Sequence, residues 1–499
     1  MSKGLARELL FLLLALGSAC PVSAQGVLGA ARAASSESGA PGVAGLYVYE
    51  PLPPAAYAPP VLARVPGGSF AMGNCYSNLS PNEGWASEIP VHEVLVSDFF
   101  IGRFEFTNEE LARTLQWALT NGLVELGQTI VTNVSEGATN VVTNLYGTVR
   151  NTEGTAQELV NLDAAYCQIA FTNGSFGVAA GQTNFPAIYV TWHGALAVCN
   201  YLSDRQGLDR AVDFAPADWT VDISASGYRL PTEAEWEKAC RGGNPGTHFP
   251  WPDDSAQGTN IYAYSIDPVK ANYSDIRYSM AGTNHPAHPW YSEAVRTTPV
   301  GYYDGAQVVT PLSTNVLYCG ADYGETNDMA NGYGLYDMAG NVYEWCHDYQ
   351  GTYWYTNAAA IGPDPTGPAA EESYFTQRVA RGGGWTTYFI TEAPDPSFQR
   401  CSFRNASYPA AYADSQLGFR VARRKLVVNA VAHAADEVSL SYWGESGKVY
   451  SVEGTTNLAA TNEWPVLAET TNATTGESQI PVDAGPGFRA LRIKAKWAP

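Results

Sequence analysis

Positive charge is scarce in this chain. Against 49 Asp and Glu stand 28 Lys and Arg, a formal net charge of −21. Nucleic acid and anionic membrane surfaces need a Lys/Arg patch, so neither is an expected partner. Charged residues of both signs make up only 15%, and hydrophobic residues 45%, which is the balance of a globular protein rather than a disordered one. The eight cysteines include no Cys-x-x-Cys pair, which argues against a zinc ribbon. No Gly-x-Ser-x-Gly elbow occurs, which argues against an α/β hydrolase. The apolar run at 9–16 is too short to span a bilayer, and no later run of that length is free of polar residues, so no membrane insertion is expected.

What is present divides the chain. Lys3 and Arg7, the apolar run, and Val22-Ser23-Ala24 read as an export signal over 1–24, cleaved near Ala24. The expected location is therefore the periplasm, the cell surface or the exterior, where disulfides can form. Residues 25–60 are rich in Ala, Gly and Pro and read as a linker. A large domain follows over 61–425. Its turns are many and its periodic segments short, which predicts an α+β unit with much irregular structure. Thr107 with Glu110, and Thr232 with Glu235, form capping boxes at two helix starts. Thr191 caps a third helix, after a strand ending at Val190. Residues 116–182 read as an insertion with a β-hairpin. The sequences at 381–385 and 416–421 read as paired strands. Residues 426–499 read as a small β-sandwich module. Its aromatics Tyr442, Trp443, Tyr450 and Trp464 form either its core or a sugar-binding strip.

The densest stretch is 331–349, NGYGLYDMAGNVYEWCHDY. Asp337 and Glu344 flank a Gly-Asn turn. Such a loop can wrap carboxylates and carbonyls around a hard cation such as calcium, or it can hydrogen-bond its acids to backbone amides. His285-x-x-His288 sits among prolines without a third ligand nearby, which makes it a poor metal site.

A series of fragments runs in order along the domain: GGSFAMG, PVHEV, VTW, RLPTEAEWEKACRGG, FPW, ANY, PVGYY, the 331–345 loop, RGGGW and LGFRVAR. Together they resemble the formylglycine-generating enzymes, or sulfatase-modifying factors. The resemblance implies a compact α+β fold related to C-type lectins. The family's enzymes use oxygen to oxidise a cysteine in a sulfatase segment, and two cysteines hold their Cu(I). Soft thiolates suit that ion. Here the Ser of the family's Gly-Gly-Ser is Gly384, and the two copper-cysteine positions are Thr387 and Pro396. No cysteine lies between Cys346 and Cys401. Copper is therefore not expected. The resemblance also implies a Cys240–Cys401 disulfide and leaves Cys199 a free, buried thiol. It implies a calcium site at Asp337, Gly340, Val342 and Glu344, and a second at Asn272 and Tyr273.

Three functions stay open. One is a calcium-stabilised scaffold for a peptide, protein or glycan. Another is a divergent enzyme of the family with a different oxidative or protein-maturation chemistry, its groove drawing on Thr387, Tyr388, Arg404 and His347. The last is cysteine oxidation through Cys346 or Cys319.

Overall fold

The computed structural model describes residues 49–53, 57–75, 85–132, 142–164, 166–252, 266, 270–273, 297–309, 324–370, 376–385 and 396–424, and the strands of a C-terminal unit from 428 to 497. By its internal contacts the chain forms two units, 1–222 with 227–423, and 223–226 with 424–499.

The first unit mixes short strands with three α-helices among the described residues: α1 (Asn108–Thr120), α2 (Trp192–Gln206) and α3 (Glu233–Arg241). Local chemistry starts each one. The Thr107 hydroxyl accepts from the Glu110 amide at 3.2 Å, while Glu110 Oε2 accepts from the Thr107 amide at 2.8 Å. Thr232 and Glu235 repeat the arrangement at α3, and Thr191 accepts from the Gly194 amide at α2. These bonds satisfy donors that the first helical turn leaves without an intrahelical acceptor. Gly207 and Gly242 end α2 and α3 in the left-handed conformation.

The central sheet has four strands in the order Asn405–Pro409, Gln377–Arg381, Tyr343–Tyr349, Leu417–Gly418. The stretch at 343–349 runs antiparallel to 377–381 and parallel to 417–418. The sequence reading had 381–385 and 416–421 paired with each other. Instead, both segments flank 343–349, which inserts between them. The expected strand ending at Val190 is absent. Residues 185–190 make only isolated bridges, because Pro186 lacks an amide donor and Tyr189 turns to φ 59°. A further sheet orders Ala422–Arg424, Phe99–Gly102 and Leu62–Val65. Within the stretch read as an insertion, Val124–Thr132 pairs antiparallel with Val142–Asn151, the expected hairpin.

The core gathers Val65, Val96, Trp236, Leu335, Met338 and Val379 with the buried Cys240, Cys346 and Cys401. Four fully buried arginines share this interior, and each has a carboxylate: Arg229 with Glu235, Arg381 with Glu237, Arg400 with Glu88, Arg420 with Glu344. Buried pairs of this kind recover little net stability after desolvation, but removing one partner strands a charge.

The C-terminal unit consists of two three-stranded antiparallel sheets. One orders Val428–Ala434, Glu437–Gly444 and Gly476–Asp483, and the other Val466–Thr471, Lys448–Thr455 and Ala490–Trp497. Tyr442, Trp443 and Tyr450 lie on these strands, and Trp464 lies outside the described residues. Among the described residues no helix is long and apolar enough to cross a membrane.

Candidate functional site

The 331–342 loop is pinned at both ends. Asn331 donates to the carbonyls of Ala239 and Cys240 at the end of α3, and its Oδ1 accepts from the Tyr333 and Leu335 amides. Asp337 and Asn341 hold positive φ, 57° and 60°. Gly340, at φ 91°, presses so close to Asn272 that a Cβ would meet its carbonyl oxygen at 2.3 Å. The Asn341 amide donates to that same oxygen at 2.7 Å. The structure thus brings Asn272 and the 337–344 loop together. Tyr273 turns elsewhere, into a cluster with Phe249 and Ile266, where its hydroxyl donates to the Ile266 carbonyl.

Three buried carboxylates surround this loop, and one of them, Glu344, pairs with the Arg420 guanidinium. Glu344 accepts from Arg420 through both oxygens at 2.6 Å, and its Oε2 also accepts from the Trp236 indole at 2.7 Å. Asp337 Oδ2 accepts from the Gly301 amide at 2.6 Å. Glu105 accepts from the Asn341 side chain at 2.6 Å and from the Val342 amide at 3.2 Å. Burial pushes the Asp337 carboxyl up to about 6, and the negative charge of Glu344 adds to this. Glu105 is pushed well above the usual carboxylate range by burial and then by Asp337 and Glu344. Glu105 was not singled out from sequence. Its signal was present: a lone acid inside the apolar run FFIGRFEF.

Asp337, Gly340, Val342 and Glu344 offer two carboxylates and two backbone carbonyls, the donor types that calcium takes, although both Glu344 oxygens already accept from Arg420 and one of them also from Trp236. The surplus of buried negative charge over the one guanidinium also fits a cation. Among the described residues, no three His, Cys, Asp or Glu side chains group as a metal site by themselves.

Beside this loop, the strand at 377–381 leads into Gly384. A Cβ there would meet the Tyr343 ring at 3.2 Å. The Trp385 amide donates to the Asn341 carbonyl at 2.7 Å, and its indole to the Ser415 carbonyl at 3.0 Å. Thr387 and Tyr388 lie outside the described residues, as do Cys319, His285 and His288. Pro396 opens a 3₁₀ turn that leads to Cys401. Around Gly384 stands an aromatic surface. Trp385, Tyr166 and Tyr189 pack on Ile188 and Val342. Tyr408 and Tyr412 stack at 5.0 Å, and the Tyr412 hydroxyl donates to Asp414 at 2.7 Å. Tyr412 is 39% exposed.

The remaining candidates sit inside the fold. Arg404 is buried; it donates to Glu233 at 2.5 and 2.8 Å and to the Ser87 and Gly351 carbonyls. His347 lies against Trp192, and Arg378 donates to its carbonyl. Cys346 is fully buried, which pushes its thiol well above the ordinary range. Cys199 is a buried free thiol whose pKa is also raised by burial. The sulfurs of Cys240 and Cys401 lie 3.0 Å apart as neighbouring thiols, against roughly 2 Å in a disulfide.

Comparison with known proteins gives a family match over residues 51–425, to the sulfatase-modifying factor enzyme 1-like domain. The chain belongs to that family. The formylglycine-generating enzyme of Streptomyces coelicolor is 26% identical over 363 residues, covering 72% of this chain and 88% of that protein. A protein named serine/threonine-protein kinase pkn1, from Chlamydia caviae, is 27% identical over 359 residues, which cover 72% of this chain and only 37% of that one. The chaperone protein LppX of Paenibacillus barcinonensis is 27% identical over 264 residues, covering 48% of this chain and 70% of that one. Among solved structures, Treponema denticola variable protein 1 aligns with a TM-score of 0.40 at 21% identity, covering 73% of this chain and 95% of the other. Sequence relatives of this chain thus carry quite different names.

Proposed function

We propose that this chain is an exported, non-oxidising member of the sulfatase-modifying factor family that binds a peptide, protein or glycan. In this reading calcium steadies the 337–344 loop. The observation that carries it is the loop after Arg381. Gly384 lies against the Tyr343 ring, and the sequence holds no cysteine between Cys346 and Cys401. Without two soft ligands at those positions, Cu(I) has nothing to hold it. Cys346 is a poor substitute, since its thiol is sealed in the core and resists ionisation. The surface of Trp385, Tyr408, Tyr412 and Asp414 offers flat apolar area beside hydrogen-bonding groups, which suits sugars and peptides alike. A relative named a chaperone is consistent with a binding role. The alternative, a divergent enzyme of the family, would draw on Thr387, Tyr388, Arg404 and His347.

The test is aldehyde formation on a Cys-x-Pro-x-Arg peptide with Cu(I) and oxygen. The native chain should give none, and aldehyde from it would overturn the proposal. A variant carrying Gly384→Ser, Thr387→Cys and Pro396→Cys reports on the groove. Aldehyde from that variant alone would show a surviving peptide groove and favour a peptide ligand. No aldehyde from either would shift the search to glycans, screened with and without calcium.

A further inference from the structure

A cavity of about 440 Å³ opens between the 57–61 segment, the first turns of α1 and the end of α2. It is distinct from the aromatic surface around Gly384. Phe104, Phe106, Leu202 and Val300 give it an apolar body. Two guanidiniums reach it, from Arg113 and Arg205, and they are not equivalent. Arg113 has its counter-ion, bonding Glu109 at 2.8 Å, and donates to the Pro53 carbonyl at 3.1 Å. Among the described residues Arg205 pairs with no carboxylate. Its guanidinium stacks 3.6 Å over the Tyr57 ring, with Trp117 at 5.7 Å. The side chain as a whole is partly exposed, but its Nη1 is enclosed and has no acceptor among the described residues. Burial works against this cation, the Tyr57 hydroxyl favours it, and the neighbouring charge of Arg113 works against it. An unanswered buried donor on a guanidinium costs stability unless something accepts from it.

The acids on the cavity wall are all engaged elsewhere. Glu110 is tied to Thr107 in the α1 cap, Glu109 to Arg113, and Glu105 to Asn341 and Val342. They also define what can enter. A doubly charged group such as a phosphate would face three carboxylates. A single carboxylate can pair with Arg205 at lower cost, and a planar guanidinium matches it with two parallel bonds.

We propose that this cavity binds a small monocarboxylate with an apolar body of roughly 10 to 20 non-hydrogen atoms, its carboxylate held by Arg205. A plainer account makes Arg205 only a clip that holds the 57–61 segment through Tyr57. That account explains the stacking but leaves the buried Nη1 without an acceptor.

The experiment uses the full chain and saturation-transfer NMR, with affinities from calorimetry. The probes are 3-phenylpropionate, 4-phenylbutyrate and octanoate, each beside its primary amide. At least one acid should bind with Kd below about 1 mM, and its amide much more weakly. Arg205→Gln should weaken the acid about ten- to hundredfold with an unchanged circular dichroism spectrum, and Arg205→Lys should recover part of the loss. Tyr57→Leu removes the stack but keeps the cation, so the acid should still outbind its amide. The proposal fails if no acid binds, if acid and amide bind alike, or if Arg205→Gln binds as the native chain does. It also fails if Tyr57→Leu abolishes the preference as fully as Arg205→Gln, which is the outcome the clip predicts.

Discussion

Two histidines in the first unit are held neutral by their surroundings. Burial lowers His347 to about 3 and His193 to about 4, and the Arg378 guanidinium adds to both shifts. Between those values and the ordinary 6.5, the unfolded chain takes protons that the folded chain refuses. Stability from these groups is therefore intact above pH 6.5 and falls as the pH drops, by about a factor of ten in the folding constant per unit and per histidine. Carboxylates titrate in the same range, so the comparison must be between variants. His347→Gln should lose less stability than the native chain from pH 7 to pH 4.5, read from urea midpoints. Equal losses would mean that the imidazole is not kept neutral. At the same scale, Cys240 and Cys401 are placed to join. Thiol mapping of the air-oxidised protein should find them linked, with Cys199 and Cys346 alkylated only after unfolding. Reduction should then cost about 2–4 kcal/mol. Recovery of both cysteines alkylated from the oxidised chain would remove the disulfide.

The helix α3 shows how one element gathers functions. Its cap is Thr232, its Glu235 carboxylate completes the capping box and also pairs with Arg229 at 2.6 Å, and its Trp236 reaches Glu344. Thr232→Ala should cost about 1 kcal/mol, a lost cap. Glu235→Ala should cost about 3–5 kcal/mol, because Arg229 is then buried without a counter-ion. Thermal melts followed by near-ultraviolet dichroism would rank the two. Equal losses would show that the Arg229 pair contributes nothing beyond the cap. Such caps are legible in sequence because donor and acceptor lie three residues apart. The strand at 343–349 was not legible. Its Gly- and acid-rich lead-in reads as a loop, and its partners at 377–381 and 417–418 come later in the chain. Glu105 was visible as a lone acid in an apolar run, but its partner was not legible, since it meets Asn341 across 236 residues of sequence. Arg404 and His347 stood as groove candidates for a divergent enzyme beside a plainer structural reading, and the structure agrees with the plainer one for Arg404, which pairs with a carboxylate. Sequence does not say which face of a strand or loop a side chain takes, and here Arg404 faces a buried Glu233.

At the scale of the whole first unit, the converging carboxylates are the point where distant segments meet. Glu105 follows the strand at 99–102, Asn272 and Gly301 come from the middle of the chain, the 337–344 loop supplies two acids, and Arg420 arrives last. One guanidinium among three buried acids leaves negative charge that the fold must tolerate or neutralise. If calcium neutralises it, the cation couples all of these segments, and its removal should be felt by the unit as a whole. Exhaustive dialysis against EGTA should then lower the melting temperature by about 5 °C relative to calcium at a hundred times its Kd. Calcium should restore it, and magnesium should not, because the smaller ion demands an octahedral set and releases its water reluctantly. Asp337→Ala should abolish the calcium response. In EGTA the same variant should melt no lower than the native chain, since it removes a buried charge that has no cation to answer it. A native melting temperature indifferent to EGTA would sink the calcium assignment while leaving the binding role intact. A variant that melts far below the native chain in EGTA would instead make Asp337 a structural acceptor for the Gly301 amide.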